Sequence, residues 1–187
     1  MLIVSLVFDG RQASYNRRVS SAPFPVPQRE VCPFCRNISD GSTVNLRDGR
    51  TTQCAVVEHL PDSFSFLNPS QIAEPHVLVI PTRHAATVLD LTAEEMTAIA
   101  RQVHRLAAAV TQAFGPLGLN IYQNNGIAAG QSVGHYHVHV VPRYPGQSSA
   151  VISTRDIPPT PIERRLTLAA RIRDYLESRH RVEGDGL

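Results

Sequence analysis

The stretch GHYHVHVVPR at residues 134–143 indicates both the fold and the chemistry of this chain. It places His135, His137 and His139 at alternate positions in a run of β-branched and aromatic residues. Successive side chains of a β-strand point to opposite faces, so we expect the three imidazoles on one face, about 6.7 Å apart. The residues between them are expected to face the core. The pattern therefore predicts a strand over 135–141 with one chemical face and one buried face.

Length and composition favour one globular unit. The chain has 187 residues, of which 42% are hydrophobic and 18% charged, enough for one sizeable core. We expect a single domain over 31–187, preceded by an N-terminal arm, 1–30, that is extended or poorly ordered, because its second half mixes prolines and polar residues without an apolar period. The net charge of +2 comes with no lysine and no basic run, so a nucleic-acid polymer is not an expected partner.

The sequence carries no sign of a membrane or export segment. No stretch approaches the roughly 18 apolar residues of a membrane span, and the first residues lack the charged start of an export peptide. We therefore expect a cytoplasmic protein that does not associate with membranes. In that setting, Cys32 and Cys35 in a Cys-x-x-Cys pair indicate a metal site or a redox pair, and Cys54 is expected in the core.

Local signals predict an α+β arrangement. Thr92 and Glu95 form a capping box at the start of a long helix that ends before Gly115. A closing amphipathic helix is expected over 161–179. Strands are expected over 53–58, around Phe64 and Phe66, and over 77–80, 119–123 and 135–141, with a hairpin turn at 48–49.

The loop before the histidines, QNNGIAAGQSV at 123–133, is built from small residues. Its glycines let backbone N–H groups approach a ligand, and Asn124, Gln131 and Ser132 add side-chain donors. Such a loop can surround a phosphate without a full positive charge. The alternative is an ordinary surface loop between two strands.

Together these residues resemble the histidine triad family of nucleotide hydrolases and transferases, whose motif is His-φ-His-φ-His-φ-φ with φ hydrophobic. Residues 135–141 fit every position. The resemblance covers roughly 31–145 and includes FLN at 66–68, HVLVIP at 76–81, GQSV at 130–133 and the long helix. It implies an α+β fold with about five antiparallel strands and one long helix, followed here by a C-terminal helix, and a homodimer.

The resemblance also implies roles for individual residues. His137 would attack an α-phosphate and form a covalent nucleotidyl intermediate, His139 would contact the phosphate and assist proton transfer, and Ser132 and Gln131 would orient phosphate oxygens or the leaving group. Asn124 would line the same site, Asn68 would hold the ribose hydroxyls and Phe66 would lie near the base. The expected substrate is a purine nucleotide conjugate, a dinucleoside polyphosphate or a nucleoside phosphoramidate, with no organic cofactor.

A structural zinc ion is the expected metal. In the zinc-binding branch that this chain resembles, the ligands are a Cys-x-x-Cys pair, a histidine after a strand and the first triad histidine. These correspond to Cys32, Cys35, His84 and His135. His76 is expected to support the triad strand without chemistry, and Arg143 is left outside the site as a strand-end charge.

Three alternatives remain from the sequence. The His-x-His pattern can also hold a catalytic zinc in a metal hydrolase. The Cys-x-x-Cys pair also looks like a glutaredoxin redox pair, although such a pair belongs in a βαβ unit. Finally, the chain can be a zinc-stabilised nucleotide sensor with little turnover.

Overall fold

A computed structural model describes residues 22–28, 32–40, 43–45, 51–147 and 153–184 of the chain. Five strands form an antiparallel sheet in the order β3-β4-β5-β7-β6, and two more form a separate hairpin, β1-β2. The α+β class with a five-stranded sheet is thereby confirmed. The elements are α1 (Pro33–Asp40), β1 (Thr43–Asn45), β2 (Thr51–Gln53), β3 (Val56–His59), β4 (Ser63–Leu67), β5 (Val77–Pro81), α2 (Ala93–Phe114), β6 (Gly118–Tyr122), β7 (Val138–Arg143) and α3 (Ile162–Gly184).

The two faces of the sheet have different neighbours. On β5, Val77 and Val79 join the main core with side chains of α2 and α3, while Leu78 and Ile80 point to the opposite face. There they pack with Phe34 of α1 in a second apolar cluster. This alternation follows from the two-residue period of a strand. The face away from α2 and α3 carries the histidines.

The long helix begins and ends where its local signals predict. The Thr92 side chain accepts a hydrogen bond from the Glu95 backbone N–H, and the Glu95 carboxylate accepts one from the backbone N–H of Thr92. Gly115 ends the helix with φ of 63°, a left-handed conformation that costs glycine little.

In the described part of the chain, no helix combines the length and apolarity needed to span a bilayer.

The triad strand begins later than the histidine pattern predicts. The predicted strand over 135–141 is observed as β7 from Val138 to Arg143. The backbone N–H of Tyr136 donates instead to the carbonyl of Ala85, 2.6 Å away, in the segment after β5. The alternation nevertheless persists, because Tyr136, Val138 and Val140 all lie in the main core. The predicted core face is present, but the face that carries the histidines is buried as well, and the first two histidines lie outside the ladder.

Other boundaries also differ from the sequence-based ones. α3 extends to Gly184, beyond the predicted end at 179. The predicted run over 53–58 is divided into β2 and β3 around Cys54, which is buried in the second apolar cluster as expected. The β1-β2 hairpin is present, and its predicted turn at 48–49 lies outside the described residues. The helix α1 was not predicted.

Candidate functional site

Two cysteines and two histidines meet at the start of α1. Their ligand atoms all lie within 4.8 Å of one another in the cluster Cys32, Cys35, His84 and His135. The Sγ–Nδ1 distances are 3.3 Å for Cys35 to His84 and 3.4 Å for Cys32 to His135. A tetrahedral zinc ion with ordinary bond lengths separates its sulfur and nitrogen ligands by about 3.6 Å. The four predicted ligands therefore have the spacing that a zinc ion requires.

The protonation states of the cysteine and histidine side chains in this cluster are also compatible with a bound cation. His135 Nε2 donates to the carbonyl of Pro81 at 3.0 Å, which leaves the Nδ1 lone pair facing the cysteines. Without an ion, burial opposes ionisation of Cys32, but hydrogen bonds from the protonated rings of His135 and His84 prevail and lower the pKa of this thiol to about 5. A bound cation would take the place of those ring protons, with the Nδ1 lone pair of His135 as its ligand. Burial and the charge of Cys32 raise the pKa of Cys35 to about 12. A divalent cation would compensate both thiolates, so the donor set fits zinc.

His137 presents one nitrogen for chemistry. Its Nδ1 lies 2.7 Å from the carbonyl oxygen of His135, and a carbonyl can only accept, so Nδ1 carries the proton. The lone pair of the neutral ring is therefore on Nε2. Burial lowers the pKa of His137 to about 4, which keeps the imidazole neutral at physiological pH. A neutral imidazole with a free Nε2 is the form that can act as a nucleophile.

His139 is held by a chain of hydrogen bonds with a fixed direction. The backbone N–H of Ile72 donates to Nδ1 of His76 at 3.4 Å, so His76 carries its proton on Nε2. That Nε2 lies 2.8 Å from Nδ1 of His139 and donates to it. The proton of neutral His139 is then on Nε2. Burial, followed by the nearby His137 and His76, lowers the pKa of His139 well below its ordinary value.

The predicted ribose and base residues, Asn68 and Phe66, are both buried. Asn68 is 9% exposed, and its amide nitrogen lies 3.4 Å from Nδ1 of His76. Phe66 is fully buried, with the ring of Phe34 against it at a centroid distance of 5.5 Å. Phe34 also meets His137 edge to face at 5.4 Å. The roles predicted for Asn68 and Phe66 remain predictions.

Sequence reasoning did not identify Phe34 as part of this site. The ring of Phe34 contacts both His135 and His137, and Phe34 precedes the ligand Cys35 on the short helix α1. Phe34 therefore connects the metal cluster to the triad. The sequence did contain a signal for this contact. Phe34 lies between Cys32 and Cys35, which are predicted to bind the same ion as the triad histidine His135. A cluster of that kind brings the intervening side chain close to the triad strand.

The side chain of Gln131 holds the loop before the triad through three hydrogen bonds to the backbone. The buried side chain of Gln131 accepts from the backbone N–H of Gly126 at 2.7 Å and donates to the carbonyls of Ala86 and Val133 at 2.6 and 2.9 Å. Its amide therefore fixes the loop in this structure, and its contact with a phosphate stays a prediction. Ser132 is exposed on the same loop.

Asn124 lies across the loop from Gly130. Its amide nitrogen is 3.7 Å from the position that a Cβ atom on Gly130 would occupy. Gly130 itself adopts a φ of 85°, which an L side chain rarely does. Within the described ranges, neither Asn124 nor Ser132 has a side-chain hydrogen-bond partner, so both side chains can turn toward a ligand.

The end of the N-terminal arm packs against this loop. The carbonyl of Pro25 accepts from the backbone N–H of Ile127 at 3.1 Å, and Val26 is 4% exposed. A Cβ atom on Gly126 would lie 2.7 Å from the Phe24 ring, and one on Gly134 would overlap the carbonyl oxygen of Pro27. Glycine at both positions lets residues 24–27 lie close to the loop. The rest of the predicted arm, 1–21 and 29–30, lies outside the described residues.

Comparisons with known proteins agree with this geometry. The HIT domain family matches residues 50–146, just over half of the chain. The protein hit of Bacillus subtilis is 38% identical over 115 residues, which are 62% of this chain and 72% of that protein. The asymmetrical bis(5'-nucleosyl)-tetraphosphatase of Schizosaccharomyces pombe is 33% identical over 123 residues, 66% of this chain and 64% of that protein.

The fold also has a counterpart among solved structures. A crystal structure of a Zn-bound histidine triad family protein from Mycobacterium smegmatis matches with a TM-score of 0.63 and 24% identity. The match covers 81% of this chain and 97% of that chain. At this identity the likeness concerns the fold. Taken with the HIT domain match across the histidine motif and the identity to the Bacillus subtilis protein, it means that this chain belongs to the histidine triad (HIT) family.

Proposed function

We propose that this protein is a hydrolase or nucleotidyl transferase that acts at the α-phosphate of a nucleotide conjugate through a nucleotidyl-His137 intermediate. The observation that carries the proposal is the 2.7 Å contact from His137 Nδ1 to the His135 carbonyl, because it leaves the Nε2 lone pair free to attack. The dinucleoside polyphosphate hydrolase among the relatives supports the substrate class. The leaving group is a second nucleotide, a phosphate chain or an amine.

In the first step, His137 Nε2 forms a bond to the α-phosphorus as the bond to the leaving group breaks. The bonding electron pair stays with the departing oxygen, or with a departing nitrogen that is already protonated in the substrate, so that a neutral amine leaves. His139, which carries its proton on Nε2, donates a hydrogen bond to the departing atom as the electron pair develops on it. The phosphorylated imidazole keeps its proton on Nδ1, and the carbonyl of His135 accepts from it.

In the second step, water or another acceptor attacks the α-phosphorus of the intermediate. The P–N bond breaks and its electron pair returns to His137 Nε2, which restores the neutral ring. One proton of the attacking water is released to solvent. Ser132 and Asn124, with the backbone N–H groups of the loop, would hold the phosphate oxygens during both steps.

We propose that zinc occupies the cysteine and histidine cluster as a structural ion. All four ligand positions are filled by protein side chains, which is typical of structural rather than catalytic zinc. The ion would hold α1 against the triad segment and so keep Phe34 in contact with His137 and Phe66. His84 and His135 would take part in folding and not in the reaction.

We also propose a homodimer formed along β6. Within the described sheet, β6 is an edge strand, and its Ile121 is 49% exposed, as is Leu117 beside it at 79%. An edge with exposed apolar side chains suits pairing with a second copy of the chain. Light scattering during size-exclusion chromatography tests this, with Ile121→Asp expected to give a monomer.

A nucleotide sensor remains the second candidate, because His137 is only 4% exposed and a slow or incomplete reaction would fit such a covered nucleophile. A catalytic zinc on His137 and His139 is less well supported. The Nδ1 atoms of these two rings are engaged by the His135 carbonyl and by His76, and the side chains of the described residues that are spaced to hold a metal are those of the cysteine and histidine cluster.

The test is product release from adenosine 5'-phosphoramidate, diadenosine polyphosphates and a nucleotide sugar. Wild type is compared with His137→Ala and with His104→Ala, an exposed histidine on α2 that serves as the control. We expect the wild type and the control to release AMP from at least one class and His137→Ala to release none. Nucleotide binding without turnover in the wild type would favour the sensor.

A further inference from the structure

Tyr122 forms a close ring contact with the third histidine of the triad. The register of β6 and β7 places Tyr122 directly opposite His139. Their rings are stacked, with centroids 4.5 Å apart and planes inclined by 9°. Tyr122 is half-buried, and its neighbour Ile121 turns to the other face of the strand and is exposed. Among the ring contacts of His139, this is the one that is nearly parallel.

The stacked ring supplies a constraint that hydrogen bonding does not. His76 holds His139 at Nδ1, which fixes one corner of the imidazole. The second side-chain torsion of histidine joins an sp³ to an sp² carbon and has broad minima, so one hydrogen bond leaves the ring plane free to tilt. Tyr122 lies flat against one face, and the His137 ring is inclined to the His139 ring by 62°, with centroids 4.9 Å apart. Together they fix the plane and with it the direction of Nε2–H.

That direction matters because Nε2–H is the donor that faces the reacting phosphate in the proposed mechanism. Donors that stabilise a transition state act through exact placement, and a misplacement of about 1 Å can cost on the order of a hundredfold in rate. The ring contact needs only the aromatic face of Tyr122. The hydroxyl group is not part of the stacking.

We propose that Tyr122 is a positioning residue for His139: its aromatic face holds the imidazole plane so that Nε2–H points at the leaving group. The proposal rests on the proposed function, because it assigns His139 as the donor of that reaction. It predicts that the aromatic ring at position 122 controls the rate of nucleotidyl transfer to His137 and has little effect on nucleotide affinity.

The experiment compares Tyr122→Phe, which keeps the ring, with Tyr122→Leu and Tyr122→Met, which replace it by flexible apolar side chains. His104→Ala, at an exposed position on α2 away from the triad, is the control. Rapid-quench measurements give the rate constant for formation of the nucleotidyl enzyme, and AMP titration gives Kd. We expect both ring-free variants to lose about tenfold or more in rate, with Kd within about threefold, and Tyr122→Phe to stay within about twofold of wild type.

Proton-detected ¹⁵N spectra of the histidine rings provide a readout that does not depend on turnover. We expect one sharp Nε2–H signal for His139 in wild type and Tyr122→Phe, and a signal broadened by tilting of the imidazole in the ring-free variants. The tautomer, which His76 sets, should be the same in all of them. Wild-type rates and an unchanged His139 signal without the ring would overturn the positioning role, as would a Tyr122→Phe variant as slow as Tyr122→Leu. If the wild type turns over no substrate, the proposed function fails, and the spectra still decide whether Tyr122 orders His139.

Discussion

The Nε2 atom of His76 lies 2.8 Å from the Nδ1 atom of His139, and both side chains are buried. Because Ile72 N–H donates to the other nitrogen of His76, the direction of this hydrogen bond is fixed. A residue outside the triad motif thus determines which nitrogen of a triad histidine carries the proton. This contact links the segment before β5 to the chemistry that we propose for β7.

Replacing His76 by phenylalanine is expected to slow the reaction without removing the nucleophile. Phenylalanine fills a similar volume but cannot donate to His139, so His139 is released to place its proton on either nitrogen. We expect kcat to fall by roughly a hundredfold, at the lower end of what the loss of one charge-stabilising donor costs. Steady-state kinetics measure this, with His104→Ala as the control. An unchanged kcat would contradict the donor role given to His139.

The same buried histidine should make stability depend on pH. Burial, with the nearby charges of His137 and Arg143, lowers the pKa of His76 from 6.5 to about 3. Between these values the unfolded chain binds a proton that the folded chain does not, so the free energy of unfolding falls as the pH falls. The slope due to His76 is about 1.4 kcal/mol per pH unit.

Urea unfolding at pH values from 7 down to 4.5 tests this dependence. Wild type and His76→Phe share His137 and the cysteine cluster, so the difference between their curves reports on His76 and on the His139 ring that it contacts. We expect the free energy of unfolding of wild type to fall more steeply than that of His76→Phe as the pH falls below about 6.5. Curves that stay parallel across this range would show that His76 titrates normally in the folded protein.

The sequence predicted the parts of this structure that depend on short-range patterns. The ends of α2 follow from Thr92, Glu95 and Gly115, each of which acts on the backbone within one turn. The buried face of the triad segment follows from strict alternation. The metal cluster required the family resemblance, because His84 and Cys35 are far apart in the sequence and meet only in the fold.

Other features depend on partners that no local pattern reveals. The late start of β7 depends on the Ala85 carbonyl, which takes the N–H of Tyr136 out of the ladder. The bracing role of Gln131 depends on the Ala86 carbonyl, 45 positions earlier. The stacking of Tyr122 on His139 depends on the register of two strands. Each of these is a long-range contact, and each changes the interpretation of the site.

Loss of a cysteine ligand should affect stability more than chemistry. We expect Cys35→Ser to lose bound zinc and to unfold at a lower temperature, because the ion would no longer hold α1 and His135 together. The rate per folded molecule should fall less, since His137 and His139 are not ligands. Metal analysis, thermal unfolding and kinetics corrected for folded fraction measure these effects.

Cys54→Ala is the matched control, because Cys54 is buried in the second apolar cluster and outside the metal cluster. We expect it to keep stoichiometric zinc. Wild-type protein prepared without chelator should also contain one zinc ion per chain. A metal-free wild type, or a Cys35→Ser variant with normal stability and no activity, would contradict a structural role for the ion.

The packing of residues 24–27 on the loop can be tested at a single glycine. A methyl group on Gly134 would overlap the carbonyl oxygen of Pro27, whereas one on Gly118 would meet nothing within 4 Å. We expect Gly134→Ala to destabilise the protein by about 1–3 kcal/mol and to expose the arm to proteases, with Gly118→Ala near wild type. Equal protease resistance in both variants would mean that the arm does not depend on this contact.

Whether His137 is the nucleophile is decided by the intact mass of the enzyme quenched in alkali during turnover, for wild type and for His137→Ala. We expect a wild-type species heavier by one nucleoside monophosphate, located on His137 by fragmentation, lost on acid treatment and absent from the variant. Turnover without any such adduct, or an adduct that persists in His137→Ala, would contradict the assignment of His137 as the nucleophile.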